Sequence, residues 1–411
     1  MRTVERACRS CGADRLVSVL DLGTTPLANA LIVSEALSQP EERFPLELAF
    51  CERCALAQIT ESVPPGKLFR EYLYFSSFSD TMLRHAEAIA DRLRGERGLG
   101  PSSLVVEVAS NDGYLLQFYK RAGIPVLGIE PAANIARVAE GERGIPTLCD
   151  FFGTDLAARL AQEGKRADIV HGNNVLAHVP DLNGFVRGIA TVLKPGGLAV
   201  FEVPYVGDMV ERLEFDTIYH EHLCYFSLSA LVPLFGRHGL AIVRVERLDI
   251  HGGSLRVFAA HSQGASADET VQAMLVREEC DGLAQSAYYA DFAERVRRLG
   301  RALTRVLQDL KKSGARIAAY GASAKGSTLL NTFGIGSDLL DFVVDRSSYK
   351  QGRYTPGTHL PISAPARLLE EMPNYVLLLT WNFEREILAQ QEEYRRRGGL
   401  FVVPLPDVRI V

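Results

Sequence analysis

The chain has 411 residues, enough for two or three domains rather than one. An apolar fraction of 47% and a charged fraction of 23% exclude a disordered or fibrous class, and a net charge of −5 argues against a surface that tracks a polyphosphate, so no nucleic-acid partner is expected. No apolar run reaches the roughly 18 residues of a membrane span, and the opening "MRTVERACRSCGADR" is charged with no apolar stretch behind it. The expectation is a cytoplasmic protein, a monomer, with no membrane partner.

In chain order, residues 1–65 are rich in turns and hold four of the seven cysteines as two C-x-x-C pairs, Cys8/Cys11 and Cys51/Cys54. In a reducing compartment this spacing predicts zinc rather than disulfides. With all four ligands cysteine, no position is left open for water, so the ion is expected to be structural. A module this small needs such a staple. Residues 66–100 form a bridge: "EYLYFSSFSD" carries Tyr72, Tyr74, Ser76, Ser77 and Ser79, and from Met82 onward apolar residues recur at helical spacing. The segment reads as a solvated connector or as a lid over a polar substrate.

From 101 to 262 strand and helix signals alternate through "LVVEVASNDGYLL", "PVLGIEP", "IPTLCDFF", "ADIVHGNNVLAHV" and "GGLAVFEVP". That rhythm predicts a parallel, doubly wound α/β sheet. The following "LAIVRVERLDIHGGSLRVFAAH" has no room for a helix, so its strands form an antiparallel hairpin. Residues 265–312 read as helical, and the alternation then restarts in a smaller unit, "RIAAYGASAKG", "LLDFVVD", "YVLLLTW" and "GLFVVPLP". The expected division is 1–65, 66–264 and 265–411.

The turn from Glu107 to Gly113 joins a strand to a helix, where ligands meet free N–H groups. A dinucleotide fingerprint needs three glycines, and this turn has Gly113 alone, with Glu107 and Asp112 adding negative charge. S-adenosylmethionine (SAM), with its sulfonium and ammonium, suits the turn better than a pyrophosphate does. Glu107, Ala109, Asn111 and Gly113 are therefore candidate cofactor residues. Glu130, ending the next strand, is placed to accept ribose hydroxyls; Asp150 is placed for the adenine amine, and Asn173 and Asn174 for the methionine end.

These motifs, together with "YLYFSSFSDTMLRH", "NNVLAHVPD", "EVPY", "YHEHLCYFS", "HGGSLRVF", "YGASAKG" and "LTWNF", resemble in order and over the whole chain the sugar C-methyltransferases that act on TDP-4-keto-deoxysugars. The resemblance implies a zinc module, a class I methyltransferase domain and a C-terminal Rossmann-like domain that helps to hold the sugar nucleotide.

It also bears on "DTIYHEHLCYFS", where a metal site, a proton-transfer site and an ordinary loop compete. Methylating carbon requires a base to remove the proton beside a ketone and donors to stabilise the enolate. The resemblance implies His222 as the base, Glu221 in support, and Tyr219 and His178 positioning the sugar or donating to the enolate oxygen. His220 points the other way if the run is extended. Tyr74 is a candidate lid donor, with Tyr72 beside it.

In the C-terminal unit, "GASAKG" reads as a phosphate turn, with Ser323 and Lys325 as candidates, joined by Lys350 and Arg353 from the loop after "FVVD". Trp381 is placed near the base or sugar, or in the core. No acid-terminated strand is expected at ribose-binding distance in this unit. The rival functions are an O- or N-methyltransferase for another polar metabolite and a zinc-ribbon nucleic-acid binder with a ligand-sensing domain.

Overall fold

The computed structural model describes residues 3–4, 7–69, 75–250 and 252–411. Tyr72 and Tyr74 lie outside them.

The central unit is a seven-stranded sheet of Val105–Val108, Val126–Ile129, Thr147–Leu148, Ala167–Asn173, Leu193–Pro204, Leu240–Leu248 and Ser254–His261. Numbered within the sheet, the strands lie in the order 3-2-1-4-5-7-6, with only the seventh antiparallel to its neighbours. This is the class I methyltransferase arrangement, and it contains the expected hairpin. Alternate residues of the strands serve two cores. Val106, Val170, Ala199 and Phe201 pack under the helix Leu182–Val192. Val105, Ile169 and Val200 meet Met82, Ile89 and Leu93 of the helix Asp80–Arg97. That second helix is also pinned by charge. Glu202, although buried, is held down to about 2 by His85 at 2.9 Å and Arg256 at 2.6 Å.

The N-terminal sheet contains Val17–Pro26, Arg43–Phe50 and Ala57–Ile59. Its fourth strand comes from far along the chain: Cys224–Tyr225 pairs antiparallel with Ala57–Gln58. The segment just after "YHEH" thus belongs to the sheet of the cysteine module, a pairing with no local signal in the sequence.

The C-terminal sheet comprises Ile317–Tyr320, Val343–Val344, Ile362–Ser363, Tyr375–Leu378, Leu400–Val403 and Arg409–Ile410. Numbered within itself, its order is 3-2-1-4-5-6, with only the last strand antiparallel. The two-residue strands Ile362–Ser363 and Arg409–Ile410 are too short to show as apolar runs. The helical stretch between the units is divided. Glu278 of the helix Glu269–Asp281 accepts from the backbone N–H groups of Leu228 and Ser229, both at 2.7 Å, which fixes this helix to the central unit.

Candidate active site

The four cysteine thiols close the N-terminal module. Cys8 Sγ lies 3.4 Å from Cys54 Sγ, and Cys11 Sγ lies 3.6 Å from Cys51 Sγ. All four sulfurs fall within 4.8 Å of one another. A tetrahedral ion with Zn–S bonds of about 2.3 Å sets its sulfurs roughly 3.8 Å apart, so the residues fit zinc. The two knuckles repeat one backbone device. In each, the N–H of the first cysteine donates to the carbonyl two residues beyond the second, Cys8 N–H to Ala13 O and Cys51 N–H to Leu56 O, with Gly12 and Ala55 both left-handed after the second cysteine.

A single cavity of about 1110 Å³ runs between the central sheet's carboxyl ends and the C-terminal unit. It exceeds the volume that one drug-sized ligand ordinarily fills. Ala109, Asn111, Glu130, Asp150, Asn173, Asn174, His178, Tyr219, His222, Ser323, Lys325 and Lys350 all line it. Strained backbone gathers there: Ala109, Asn111 and Asn174 have φ of 55°, 49° and 53°. Left-handed non-glycine residues cost on the order of 1 kcal/mol each and collect where a ligand is held. The bridge folds onto the same turn, with Ser76 N–H donating to Asn111 Oδ1 at 2.9 Å and Ser77 Oγ donating to Asp112.

Glu130 accepts from Asn111 N–H at 3.0 Å and Ala132 N–H at 2.9 Å. Asn173 Oδ1 is buried with no partner, an acceptor at the position expected for the cofactor's ammonium. These groups fit SAM. The charge argument from Glu107 and Asp112 is corrected, however. Glu107 is buried beneath the turn, outside the cavity wall, and burial first, then nearby carboxylates, push its pKa well up. Asp112 faces Arg143 at 3.4 Å. Gly113 also lies outside the wall; its φ is 75° and a Cβ there would sit 2.8 Å from Ile145. Glycine is required for packing at that point, not for ligand approach. Asp150 is exposed at the mouth, 3.6 Å from Arg159.

Burial raises Glu130 to about 7, only partly countered by the two N–H groups. A ribose hydroxyl is accepted best by the ionised carboxylate. SAM affinity is therefore expected to rise with pH up to about 7, by at most about tenfold per unit, then level off. Calorimetry across pH 5.5–8.5 measures this, and Glu130→Gln should flatten the curve.

His222 and Tyr219 form a hydrogen-bonded pair in the cavity wall. His222 Nδ1 is 2.9 Å from the Thr217 carbonyl, which can only accept, so Nδ1 carries the hydrogen. Nε2 is left with its lone pair, and the Tyr219 hydroxyl donates to it at 2.8 Å. Thus the Thr217 carbonyl, a backbone group, orients the imidazole. Glu221 instead accepts from Asn29 Nδ2 at 2.7 Å and is not in the cavity wall. His220 donates to the Pro45 carbonyl at 3.0 Å, facing the cysteine module. The His178 ring is 4.8 Å from His222, and burial lowers its pKa to about 4, so it is neutral at physiological pH.

In the C-terminal unit one expectation is corrected, and of the two placements expected for Trp381 the core one is observed, its ring packing against the hydrophobic core. Arg353 is not in the cavity wall. Trp381 is also outside it, because its indole N–H donates to Asp216 Oδ2 at 2.7 Å and its ring lies 4.5 Å from Lys325 Nζ. Asp216 is fully buried and immediately precedes Thr217, whose carbonyl holds His222. Trp381 therefore ties the C-terminal unit to the loop that carries His222. Trp381→Phe keeps the ring but strands a buried carboxylate oxygen, a loss of about 1–3 kcal/mol. The expected outcome is a lowered thermal transition and slower methylation with unchanged affinity for S-adenosylhomocysteine (SAH). Lys350 also differs from expectation: its Nζ donates to the Ala322 carbonyl at 2.9 Å and sits 3.6 Å from Asp345.

The residues that sequence reasoning missed are Asn29, Asp216, Thr217 and Asp345. The first three act through long-range or backbone contacts. Asp345 had a signal, the acid that ends "FVVD".

Among the described residues no helix is long and apolar enough to cross a membrane. Family models match in three consecutive parts: a domain described as zinc binding at 8–69, a methyltransferase domain at 81–245, and a C-methyltransferase C-terminal domain at 249–406. The chain is 37% identical to the C-methyltransferase NovU of Streptomyces niveus, over 98% of this chain and 96% of that one. It is also 31% identical to a ubiquinone biosynthesis O-methyltransferase of Methylobacterium sp., over only 37% of this chain and 60% of that one. Among solved structures, magnesium protoporphyrin IX methyltransferase of Synechocystis with bound SAM aligns over 43% of this chain and 78% of its own, at 15% identity and a TM-score of 0.33. The fold assignment rests on strand order, not on that alignment. Full-length likeness to NovU, all three domain models and the strand order agree: the chain belongs to the family of SAM-dependent C-methyltransferases that includes NovU.

Proposed function

We propose that the protein methylates a TDP-4-keto-deoxysugar at the carbon beside the ketone, C3. The observation that carries this reading is the shared cavity: the cofactor turn, the Tyr219–His222 pair and the C-terminal glycine turn line one space. A methyltransferase acting on oxygen meets a nucleophile that already has lone pairs. A carbon next to a ketone has none until its proton is removed, and an unprotonated imidazole nitrogen bonded to a phenol in the cavity wall is suited to that removal.

SAM supplies an electrophilic methyl group when bound. The chain's own residues do the rest. His222 Nε2 takes the carbon-bound proton, directly or through the Tyr219 hydroxyl that bridges to it. The resulting imidazolium keeps its Nδ1–H on the Thr217 carbonyl. In this reading neutral His178, beside His222 in the cavity wall, donates to the oxygen on which negative charge develops. Glu130 and Asn173 hold the cofactor from the other side, so the reacting groups are pre-aligned. Ser323 and Lys325, at the mouth of the helix Ala324–Phe333, face the diphosphate. The full-length likeness to a C-methyltransferase supports transfer to carbon.

Incubation of the protein with SAM and candidate TDP-4-keto-deoxysugars, read by mass, tests the reading. A gain of one methyl on the sugar nucleotide is expected; unchanged substrate across the set overturns it.

A further inference from the structure

In the C-terminal unit the first strand, Ile317–Tyr320, leads into a turn at Gly321–Ser323 and then the helix Ala324–Phe333. With the order 3-2-1-4-5-6, the connections diverge between the first and fourth strands, and ligands bind at the carboxyl ends there. The crevice is tight: Gly321 has φ 99°, and a Cβ on it would lie 2.5 Å from Thr380, just past the fourth strand.

The second strand, Val343–Val344, is followed directly by Asp345. Its carboxylate accepts from Ala322 N–H in the turn and from Ser347 N–H two residues on, both at 2.8 Å. Glu130 in the methyltransferase unit is held the same way, by Asn111 N–H in its turn and by Ala132 N–H two residues on. The two acids differ in length and in sequence surroundings, yet each follows the second strand of its sheet, grips its own turn and lines the one cavity. The expectation that this unit lacks such an acid is therefore corrected.

Turn stabilisation alone does not account for the site. Each carboxylate oxygen accepts one N–H and has a further lone pair. Lys350 Nζ, 3.6 Å away, balances the charge. Ser347 Oγ, on a residue 5% exposed, and Thr380 Oγ1 are both buried without a hydrogen-bond partner, and both residues line the cavity. Buried hydroxyls are ordinarily paired, so these two are left for an occupant with hydroxyl groups of its own. A dinucleotide is disfavoured. At the middle glycine of the fingerprint stands Ser323, whose side chain caps Gly326 N–H at 3.0 Å.

We propose that Asp345 accepts a pentose hydroxyl of the substrate's nucleoside, with Ser347 and Thr380 completing the contact. The C-terminal unit then reads its nucleoside by the device that the central unit applies to the cofactor's ribose. This rests on the sugar-nucleotide reading above and adds the group that anchors the nucleoside end.

The test is calorimetry of TDP and UDP with the full chain in the presence of SAH. Asp345→Asn should weaken TDP binding about ten- to hundredfold, the loss of a charge-assisted hydrogen bond, and leave SAH affinity unchanged. Glu130→Gln should do the converse. If Asp345→Asn does not fold, Ser347→Ala and Thr380→Val carry the test, each expected to weaken TDP about three- to tenfold. TDP binding of equal strength in wild type and the folded variants overturns this inference and leaves the reading of the reaction intact. A wild-type protein that binds neither nucleotide overturns the sugar-nucleotide reading itself, and the inference with it.

Discussion

Replacing His222 by asparagine is expected to lower methylation by about 10²–10⁴-fold, the range of a lost general base, or more. The neutral carbon beside a ketone is not a nucleophile, so losing the proton acceptor removes the nucleophile itself. Asparagine can still donate to the Thr217 carbonyl, but it cannot take up a proton near neutral pH. SAH affinity should be unchanged, since the cofactor turn and Glu130 belong to other elements. Zinc content should be unchanged too, with four cysteines already grouped. A further readout is exchange of the substrate's α-proton in deuterated solvent: if wild type shows it without turnover, the variant should not. A variant that methylates at close to the wild-type rate would place the base elsewhere, at Tyr74, Tyr219 or His178.

Removing zinc should also have a large effect, and one on the chemistry rather than on cofactor binding. The Cys51–Cys54 knuckle leads directly into Ala57–Ile59, which pairs with Cys224–Tyr225 two residues beyond His222. Ile59 N–H donates to Leu223 O at 3.0 Å, Asn29 donates to Glu221, and His220 donates to Pro45. The module thus borders the loop that carries His222 on several sides. Structural zinc contributes about 10–16 kcal/mol to comparable small modules, so without it this sheet should lose its order. Chelation, or Cys51→Ser with Cys54→Ser, should abolish methylation while SAH still binds to the seven-stranded sheet. Elemental analysis and calorimetry on one sample make the comparison. Full activity in zinc-free protein would mean that the module does not hold the loop.

What was legible in the sequence follows from locality. The doubled C-x-x-C has its chemistry in its spacing, and the longer strands of the central and C-terminal sheets stand out as apolar runs. "YHEH" could be placed at the cofactor side because it follows the fifth strand. The partners of its side chains could not. The group that sets the tautomer of His222 is a backbone carbonyl, which every residue possesses. Glu221 meets Asn29 across 192 residues, and Trp381 meets Asp216 across 165. Such pairings arise only when separate units dock. Lys350 reads as a free recognition group because nothing local showed that the Ala322 carbonyl occupies it. Asp345 was within reach of the reasoning applied to Glu130, since both acids close a second strand.

Transfer of methyl to the carbon next to a ketone is tested by the position of the new bond. The protein is incubated with a TDP-4-keto-deoxysugar and SAM labelled with ¹³C in its methyl group, and the product is examined by NMR. The expected product carries a ¹³C-methyl bonded to C3, coupled to ring carbon and next to the keto carbon. A label bonded to oxygen or nitrogen, or to a carbon not adjacent to the ketone, would contradict it.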